Sequence, residues 1–227
     1  MTLQAAENYH PAPGSAQTPG ETADQAAGPF ESRQQMPQEQ HYRASAYGLL
    51  AELLWKGPDQ ALLDQLAGLA DSVPDDGDDM AMAMSALGLS ARMHEPAAID
   101  DEFHELFIGL GKGELSPYAS WYLTGFLMEK PLSDLRCDLG QLGYQRSESV
   151  VEPEDHAAAL LEVMAMMIVE GRHGDQQQQF FERHIQSWMR RFMLDLTQAK
   201  SAVFYRAVGR FGAAFLQLEG DYLAMQS

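Results

Sequence analysis

Residues Glu152–Met164, with the sequence EPEDHAAALLEVM, place three carboxylates and a histidine within five positions, directly before an apolar run. Such a group is able to bind a metal ion, to act as an acid–base pair, or to begin a helix. On a helical wheel Asp155 and His156 diverge by about a quarter of a turn, which is poor geometry for binding one ion. A helix that starts at Pro153 explains the carboxylates, because they then lie at the positive end of its dipole.

His156 would lie at the edge of the apolar stripe of this helix, one turn before Leu160. A histidine at such a position is more commonly a core residue whose hydrogen bonds are satisfied. The alternative is a polar contact at the mouth of a groove. Glu152 would be the N-cap residue, although glutamate is not among the preferred caps. The segment therefore predicts the start of a helix, but its carboxylates and histidine are more polar groups than capping that helix requires.

A second stretch, GELSPYASWYLTGFL at residues 113–127, has four aromatic residues within nine positions. Pro117 suits the first turn of a helix, and Tyr118, Trp121 and Tyr122 then share one side at i, i+3 and i+4. An aromatic stripe usually packs in a core. The polar groups of Tyr and Trp, with small polar residues between them, also suit a peptide-binding surface. Both interpretations remain open on these residues alone.

No residue pattern indicates a catalytic site, a resident cofactor or a metal site. The seven histidines include no His-x-x-x-His pair, and His104 would need zinc ligands from elsewhere in the chain. DSVPDDGDDM has a proline and an alanine where a calcium loop needs oxygen ligands, and GLGKGE lacks a residue pattern that binds phosphate. We therefore expect no enzyme activity of the chain's own.

The net charge of −18 limits the classes of partner, since 33 acidic residues face 15 Lys and Arg. Such a surface repels nucleic acid and attracts basic partners, although it also serves solubility alone. No run approaches the roughly 18 apolar residues of a membrane span, so stable membrane insertion is not expected. The absence of a signal-peptide pattern and the single cysteine, Cys137, both fit the cytoplasm.

Apolar residues recur at helical spacing from about residue 38 onwards, and no stretch alternates long enough to predict a strand. We predict an all-α, single-domain bundle of about eight or nine helices over residues 38–227. Residues 1–37 contain five of the eleven prolines without apolar periodicity, which predicts a disordered N-terminal extension. Helices are expected near residues 42–56, 59–70, 80–93, 96–109, 117–129, 131–142, 153–170, 176–196 and 199–218.

The order of three segments, EFHELFIG, SPYASWYL and EPEDH, resembles that of the TorD/DmsD/NarJ family of molybdoenzyme maturation chaperones. The resemblance covers about residue 38 to the C-terminus. Its best signatures are the Pro-x-x-Ser-x-Tyr-Leu motif at 117–123 and the Glu-Pro-x-Asp-His motif at 152–156. The segment GKGELSPYASWYLTGFL, residues 111–127, is most similar to family members that serve formate dehydrogenases.

The resemblance implies a cytoplasmic all-α chaperone and not an enzyme. Members bind the twin-arginine signal peptide of a molybdenum-containing oxidoreductase, and often its body, and they delay export until the cofactor is inserted. In that family the two motifs border the peptide site. The motif positions carried over to this chain are Pro117, Ser120, Tyr122, Leu123, Glu152, Pro153, Asp155 and His156. The argument for an aromatic groove adds Leu106, Phe107, Tyr118 and Trp121.

We expect Asp155 and neighbouring acids to contact the arginine pair, while Trp121, Tyr122 and Leu123 receive the apolar run of the peptide. One alternative is a nucleotide-binding or GTP-hydrolysing accessory enzyme, since guanine nucleotide binding has been suggested within the family. Another is a general acidic helical scaffold, which would bind basic peptides regardless of their apolar run. The sequence leaves the client and the oligomeric state open, including a homodimer that exchanges helices.

Overall fold

The fold is known from a computed structural model. Only residues 3–5, 36 and 37 of the segment predicted to be disordered are described, so most of that prediction lies outside the described residues. Leu3–Ala5 forms a short strand, β1, which pairs antiparallel with Tyr144–Arg146, β2. The structure describes residues 3–5, 36–71, 78–109, 112–147 and 150–226.

Ten α-helices in these residues confirm the predicted all-α class. A 3₁₀ turn at Gly68–Asp71 extends the second helix, and π-helical turns at His104–Ile108 and Glu182–Gln186 extend the fourth and eighth. The helices are α1 Gln38–Trp55, α2 Gln60–Ala67, α3 Asp79–Met93, α4 Pro96–Phe103, α5 Ala119–Thr124, α6 Lys130–Leu142, α7 Ala157–Val169, α8 Gly174–Phe181, α9 Met189–Gln198 and α10 Phe204–Met225.

Helix α7 is the centre of the bundle, and its sequence explains why. Its residues AAALLEVMAMMIV are apolar on nearly all sides, and most of them are buried. A helix that is apolar all round is stable in water only when other elements surround it. Helix α1 packs along α7, while α10 packs against α9 and α3. Among the described residues, no helix is long and apolar enough to cross a membrane.

Several predicted helix boundaries are wrong. The last helix, expected over 199–218, spans Phe204–Met225, and three other errors have a local cause. The helix expected over 117–129 ends at Thr124, because Gly125 adopts a left-handed conformation with φ 81°. The helix expected from Pro153 begins at Ala157. The single helix expected over 176–196 is interrupted at Trp188, whose φ of −145° is not helical.

A buried carboxylate fixes the long C-terminal helix to the EFHELFIG segment. Glu102 accepts hydrogen bonds from the backbone N–H groups of Val203, Phe204 and Tyr205, at 2.8, 2.9 and 2.7 Å. These are the donors that a helix start leaves without intrahelical partners, so Glu102 caps α10 from another part of the chain. The bond network orients the π-helical turn that follows Glu102 relative to α10.

Candidate functional site

The two signature motifs lie side by side through their backbones. The N–H of Ala119 donates to the carbonyl oxygen of Asp155 at 3.0 Å, and the N–H of Ala157 donates to that of Pro117 at 2.8 Å. These bonds form an antiparallel bridge between Tyr118 and His156. Segments that are far apart in sequence therefore form one structural unit.

Asp155 has one carboxylate oxygen that is bonded and one that is free. The side chain is only 1% exposed. Its Oδ2 accepts a hydrogen bond from the N–H of Ser120 at 2.9 Å, which caps the start of α5. Its Oδ1 is buried and has no hydrogen-bond partner in the described part of the chain. A buried acceptor without a donor costs about 1–3 kcal/mol, so this oxygen is a place where a donor would bind favourably.

Asp155 is one of the residues that line a cavity of about 190 Å³ between α5, α6, α7 and the turn after α8. The two basic side chains of the wall already have partners, because Arg183 and His184 contact Asp138 at 2.9 and 2.7 Å. Burial lowers the pKa of His184, against the opposite effect of Asp138. Among the described residues, these basic groups therefore leave Oδ1 of Asp155 without a partner. The other walls of the cavity are formed by Ala119, Leu123, Pro131, Asp134, Leu135 and Leu160.

His156 is the N-cap residue of α7. Its Nδ1 accepts a hydrogen bond from the N–H of Ala158 at 3.1 Å, which requires that this nitrogen carry no proton. Burial lowers the pKa of the ring to about 4. The ring packs edge-on against Trp55 and Tyr118, with centroids 5.8 and 5.1 Å away. Of the two interpretations, the core histidine with satisfied bonds describes its position.

The expected N-cap role of Glu152 and the first-turn roles of Glu154 and Asp155 are wrong. The backbone bridge holds His156 in an extended conformation, with φ −64° and ψ 139°, so the helix cannot start before Ala157. Glu152 instead accepts a short hydrogen bond from the Tyr118 hydroxyl. Pro153 is partly buried in the turn before the helix, and its carbonyl oxygen accepts from the N–H of His156 at 3.2 Å.

Glu154 is committed to two arginines. Its carboxylate lies 2.8 Å from Arg136 and 3.6 Å from Arg146. Burial would raise the pKa of Glu154, but the hydrogen bonds from Arg136 outweigh it and lower the pKa. Of the three carboxylates in the motif, only Asp155 thus has a buried oxygen without a partner among the described residues.

The aromatic residues of α5 divide between core and surface. Tyr122 packs against Trp188 and Phe192, and its hydroxyl donates to Asp195 at 3.0 Å. Burial, followed by the Asp195 charge, raises the pKa of Tyr122. Trp121 is half-buried, and the Nζ atom of Lys112 lies 4.1 Å from the centre of its ring. The core-packing interpretation therefore describes Tyr122 better than Trp121.

Leu106 is part of the core, and Phe107 packs against it from a partly buried position. Leu106 is fully buried. Phe107 packs against Phe192, which in turn packs against Tyr122, with centroid distances of 6.3 and 5.8 Å. Phe107 is therefore linked to α5 through Phe192. Direct contact with a peptide stays a prediction for Phe107 and would require Leu106 to leave the core.

An apolar surface follows α5 directly, and the sequence indicated it only in part. We call Leu123, Phe126, Leu127 and Met128 the apolar edge, since all four side chains are exposed, Phe126 to 69% and Met128 to 72%. Met128 has a φ of 60°, which is uncommon for a residue with a side chain. Exposed apolar residues that adjoin one another commonly mark an interaction site. The apolar run GFLM at residues 125–128 lies within the helix predicted over 117–129, so the sequence predicts the end of a helix there and not an exposed surface.

The described residues contain no group of three or more His, Cys, Asp or Glu side chains that could hold a metal ion. The polar groups of the two motifs instead cap helices and form ion pairs. One carboxylate oxygen, Oδ1 of Asp155, has no partner among the described residues. This arrangement can bind a hydrogen-bond donor next to an apolar surface.

Comparison with known proteins gives consistent results. A family model described as nitrate reductase delta subunit matches residues 60–194, more than half of the chain. The chaperone protein TorD of Vibrio parahaemolyticus is 30% identical over 134 residues, which cover 54% of this chain and 62% of that protein. TorD of Vibrio cholerae is 28% identical over 163 residues, covering 67% of this chain and 74% of that protein.

A solved structure supports the fold independently. A candidate redox enzyme maturation protein from Archaeoglobus fulgidus superposes with a TM-score of 0.53 at 18% identity, covering 82% of this chain and 99% of that one. At this identity the likeness shows the fold alone. The family model decides the assignment: the chain belongs to the nitrate reductase delta subunit family, and the resemblance to TorD, DmsD and NarJ proteins that its motifs indicated is confirmed.

Proposed function

We propose that this chain is a cytoplasmic maturation chaperone for a molybdenum-containing oxidoreductase. It binds the twin-arginine signal peptide and the apo-form of that enzyme, assists cofactor insertion and holds back export. The family assignment and the chaperone names of the relatives support this function. The sequence of residues 111–127 favours a formate dehydrogenase as the client.

The observation that carries the proposal is the buried Oδ1 of Asp155, which has no hydrogen-bond partner among the described residues and belongs to a residue that lines a small cavity. An arginine side chain supplies several N–H donors on a planar, permanently charged group. One such group in the cavity would donate to Oδ1 while Oδ2 keeps its bond to Ser120. The contact would be a charged hydrogen bond in a buried place, a stronger type than a surface ion pair.

The apolar edge accounts for the second half of a twin-arginine signal. Leu123 belongs both to the apolar edge and to the cavity wall. A peptide with an arginine in the cavity would therefore continue over Phe126, Leu127 and Met128. The basic group and the apolar run that follows it in such a signal match this order, in a helix-in-groove mode of recognition.

The test begins by capturing the client with the tagged chain from its host and identifying it by mass spectrometry. Its signal peptide is then titrated calorimetrically against the wild type and Asp155→Asn. Asparagine keeps an oxygen for the Ser120 N–H but removes the charge, so we expect at least tenfold weaker binding, because charged hydrogen bonds contribute about 1.5–3 kcal/mol. The loss should persist at high salt, since Asp155 is buried.

Matched controls separate the proposal from its alternatives. Asp64→Asn makes the same change on an exposed side chain of α2 and should bind like the wild type. Phe126→Ala should also weaken binding, since exposed aromatics of an interface are common hot spots. Unchanged binding by Asp155→Asn would remove the proposed arginine contact. Equal affinity for a basic peptide without an apolar run would favour a general acidic scaffold, and GTP turnover would favour the enzyme.

A further inference from the structure

A large groove among the described residues is remote from the motifs. It is a groove of about 640 Å³ enclosed by α3, α9 and α10, and it shares no lining residue with the cavity at Asp155. We call it the α3–α9–α10 groove. Helix α10 contributes one continuous stripe to its floor at i, i+3, i+4, i+7, i+8 and i+11. The residues of this stripe are Arg210, Ala213, Ala214, Gln217, Leu218 and Asp221.

The walls run antiparallel to the floor. Gly209 of α10 lies against Thr197, and Gly212 against Met193, so α9 and α10 run in opposite directions. His94, just beyond α3, packs against Phe204 at the start of α10, so α3 also runs opposite to α10. Three helices that each direct one stripe into a common groove form the surroundings of a fourth helix in a bundle.

The groove is apolar and shallow enough for a helix to approach closely. Its centre has small residues, Ala83 and Ala86 from α3 and Ala213 and Ala214 from α10. Larger apolar side chains remain exposed at its rims, on all three helices. These rim residues are Met82, Leu194 and Leu218. Small residues at the point of contact permit short interaxial distances, and the rim supplies apolar area to be buried.

The charges of the groove differ along its length. Asp78, Asp79 and Asp221 lie at the end formed by the start of α3 and the C-terminal part of α10, together with Arg190 from the first turn of α9, so this end has three carboxylates and one guanidinium. Arg210 lies at the opposite end, and no ion pair among the described residues includes it. Arg210 and Asp221 are eleven residues apart on one helix, which is about 16 Å or three turns.

We propose that the α3–α9–α10 groove binds an amphipathic α-helix of a partner protein, which has a basic end and an acidic end about three turns apart. The basic end contacts Asp78, Asp79 and Asp221, and the acidic end contacts Arg210. A twin-arginine signal does not fit this pattern, because its basic pair is followed by apolar residues and leaves Arg210 without an anion. The groove is thus a second interaction surface, separate from the one proposed for signal recognition.

The test uses three synthetic helical peptides of about 18 residues, a length at which Ala-rich helices form in water. All have the same Leu and Ala face. One has lysines near one end and glutamates three turns away, one has lysines at both places, and one has glutamates at both. The full chain should bind the mixed-charge peptide at least tenfold more tightly than either of the others, measured by fluorescence anisotropy or calorimetry.

Two variants sharpen the outcome. Arg210→Glu makes both ends acidic, so the all-lysine peptide should become the preferred one. Lys56→Glu makes the same change of charge directly after α1, outside the groove, and should keep the original order. Ala214→Trp fills the floor and should weaken the mixed-charge peptide at least tenfold while leaving circular dichroism and signal-peptide affinity unchanged.

The proposal is overturned if the mixed-charge peptide has no advantage, if Arg210→Glu leaves the order unchanged, or if none of the peptides binds at about millimolar concentration. A wild-type preference for the all-lysine peptide would show attraction to the acidic surface alone and would also overturn it. Loss of signal-peptide binding without these effects concerns the site at Asp155 and leaves the groove unaffected.

Discussion

Acidification below pH 6.5 should lower the free energy of unfolding, because the buried ring of His156 resists protonation. The ring is buried, and its pKa is lowered from 6.5 to about 4. Between these two values the unfolded chain binds a proton at this position and the folded chain does not. Stability contributed by the neutral ring is therefore present above pH 6.5 and is lost as the pH falls towards 4.

The size of the loss follows from the difference between the two pKa values. At about 1.4 kcal/mol per pKa unit, the shift corresponds to about 3 kcal/mol of unfolding free energy lost between pH 6.5 and 4. The cause is burial, which disfavours the charged ring. A proton on Nδ1 would also face the N–H of Ala158, so α7 would lose its capping hydrogen bond. This is a large fraction of the stability of a typical domain.

The assay is denaturant unfolding at several pH values, with His156→Asn as the variant. Asparagine is a good N-cap residue and does not titrate, so the variant keeps an acceptor for Ala158 but removes the proton linkage. We expect it to be less stable at pH 7, because the contacts with Trp55 and Tyr118 are lost, yet to lose about 3 kcal/mol less on acidification. His173→Asn is the matched control, since His173 is an exposed N-cap residue without a side-chain capping bond.

The reasoning fails if wild type and His156→Asn differ by the same free energy at every pH from 6.5 to 4. It also fails if the nuclear magnetic resonance signal of the His156 ring titrates near 6.5 in the folded protein. The His173→Asn variant should show the same change of stability with pH as the wild type, even if its new N-cap shifts all values by a constant. A similar deviation in its pH dependence would assign the effect to the removal of any histidine.

Two further predictions concern packing and capping. Gly209→Ala should lower stability by about 1–3 kcal/mol, because the added carbon would lie 2.7 Å from the carbonyl oxygen of Met193; Gly140→Ala, with nothing within 4 Å, should instead raise the melting temperature slightly. Glu102→Ala should cost about 0.5–2 kcal/mol as the loss of a helix cap, and equal stability of this variant in urea would show that the three N–H groups find water instead.

The sequence predicted the elements whose periodicity is long and whose ends have ordinary signals. Helix α7 and the C-terminal helix were found because their apolar residues repeat over many turns. The helix is interrupted at Trp188 without a glycine or proline there that would predict a break. The strands β1 and β2 have three residues each, which is too short to show alternation. Local patterns failed wherever a contact from elsewhere in the chain decided the backbone.

The start of α7 shows this failure most clearly. Proline followed by two acids is a good local signal for a helix start at Pro153, but the bridge between Tyr118 and His156 holds the backbone extended until Ala157. Nothing in the spacing of the two motifs predicts that bridge; their proximity came from the family resemblance. The buried position of Asp155 follows from the bridge, so it was equally beyond a local pattern.

The residues of the two motifs contact each other as well as any peptide that they bind. A substitution tests recognition only if it preserves these internal contacts. Asp155 uses Oδ2 to cap α5, and its Oδ1 has no partner in the part of the chain that the structure describes, so one side chain serves the fold and the proposed recognition together. Asp155→Ala would remove both oxygens and expose the N–H of Ser120, and weaker peptide binding would then have two explanations. Asp155→Asn separates them, because an amide oxygen can cap the helix while a neutral side chain offers an arginine no charge.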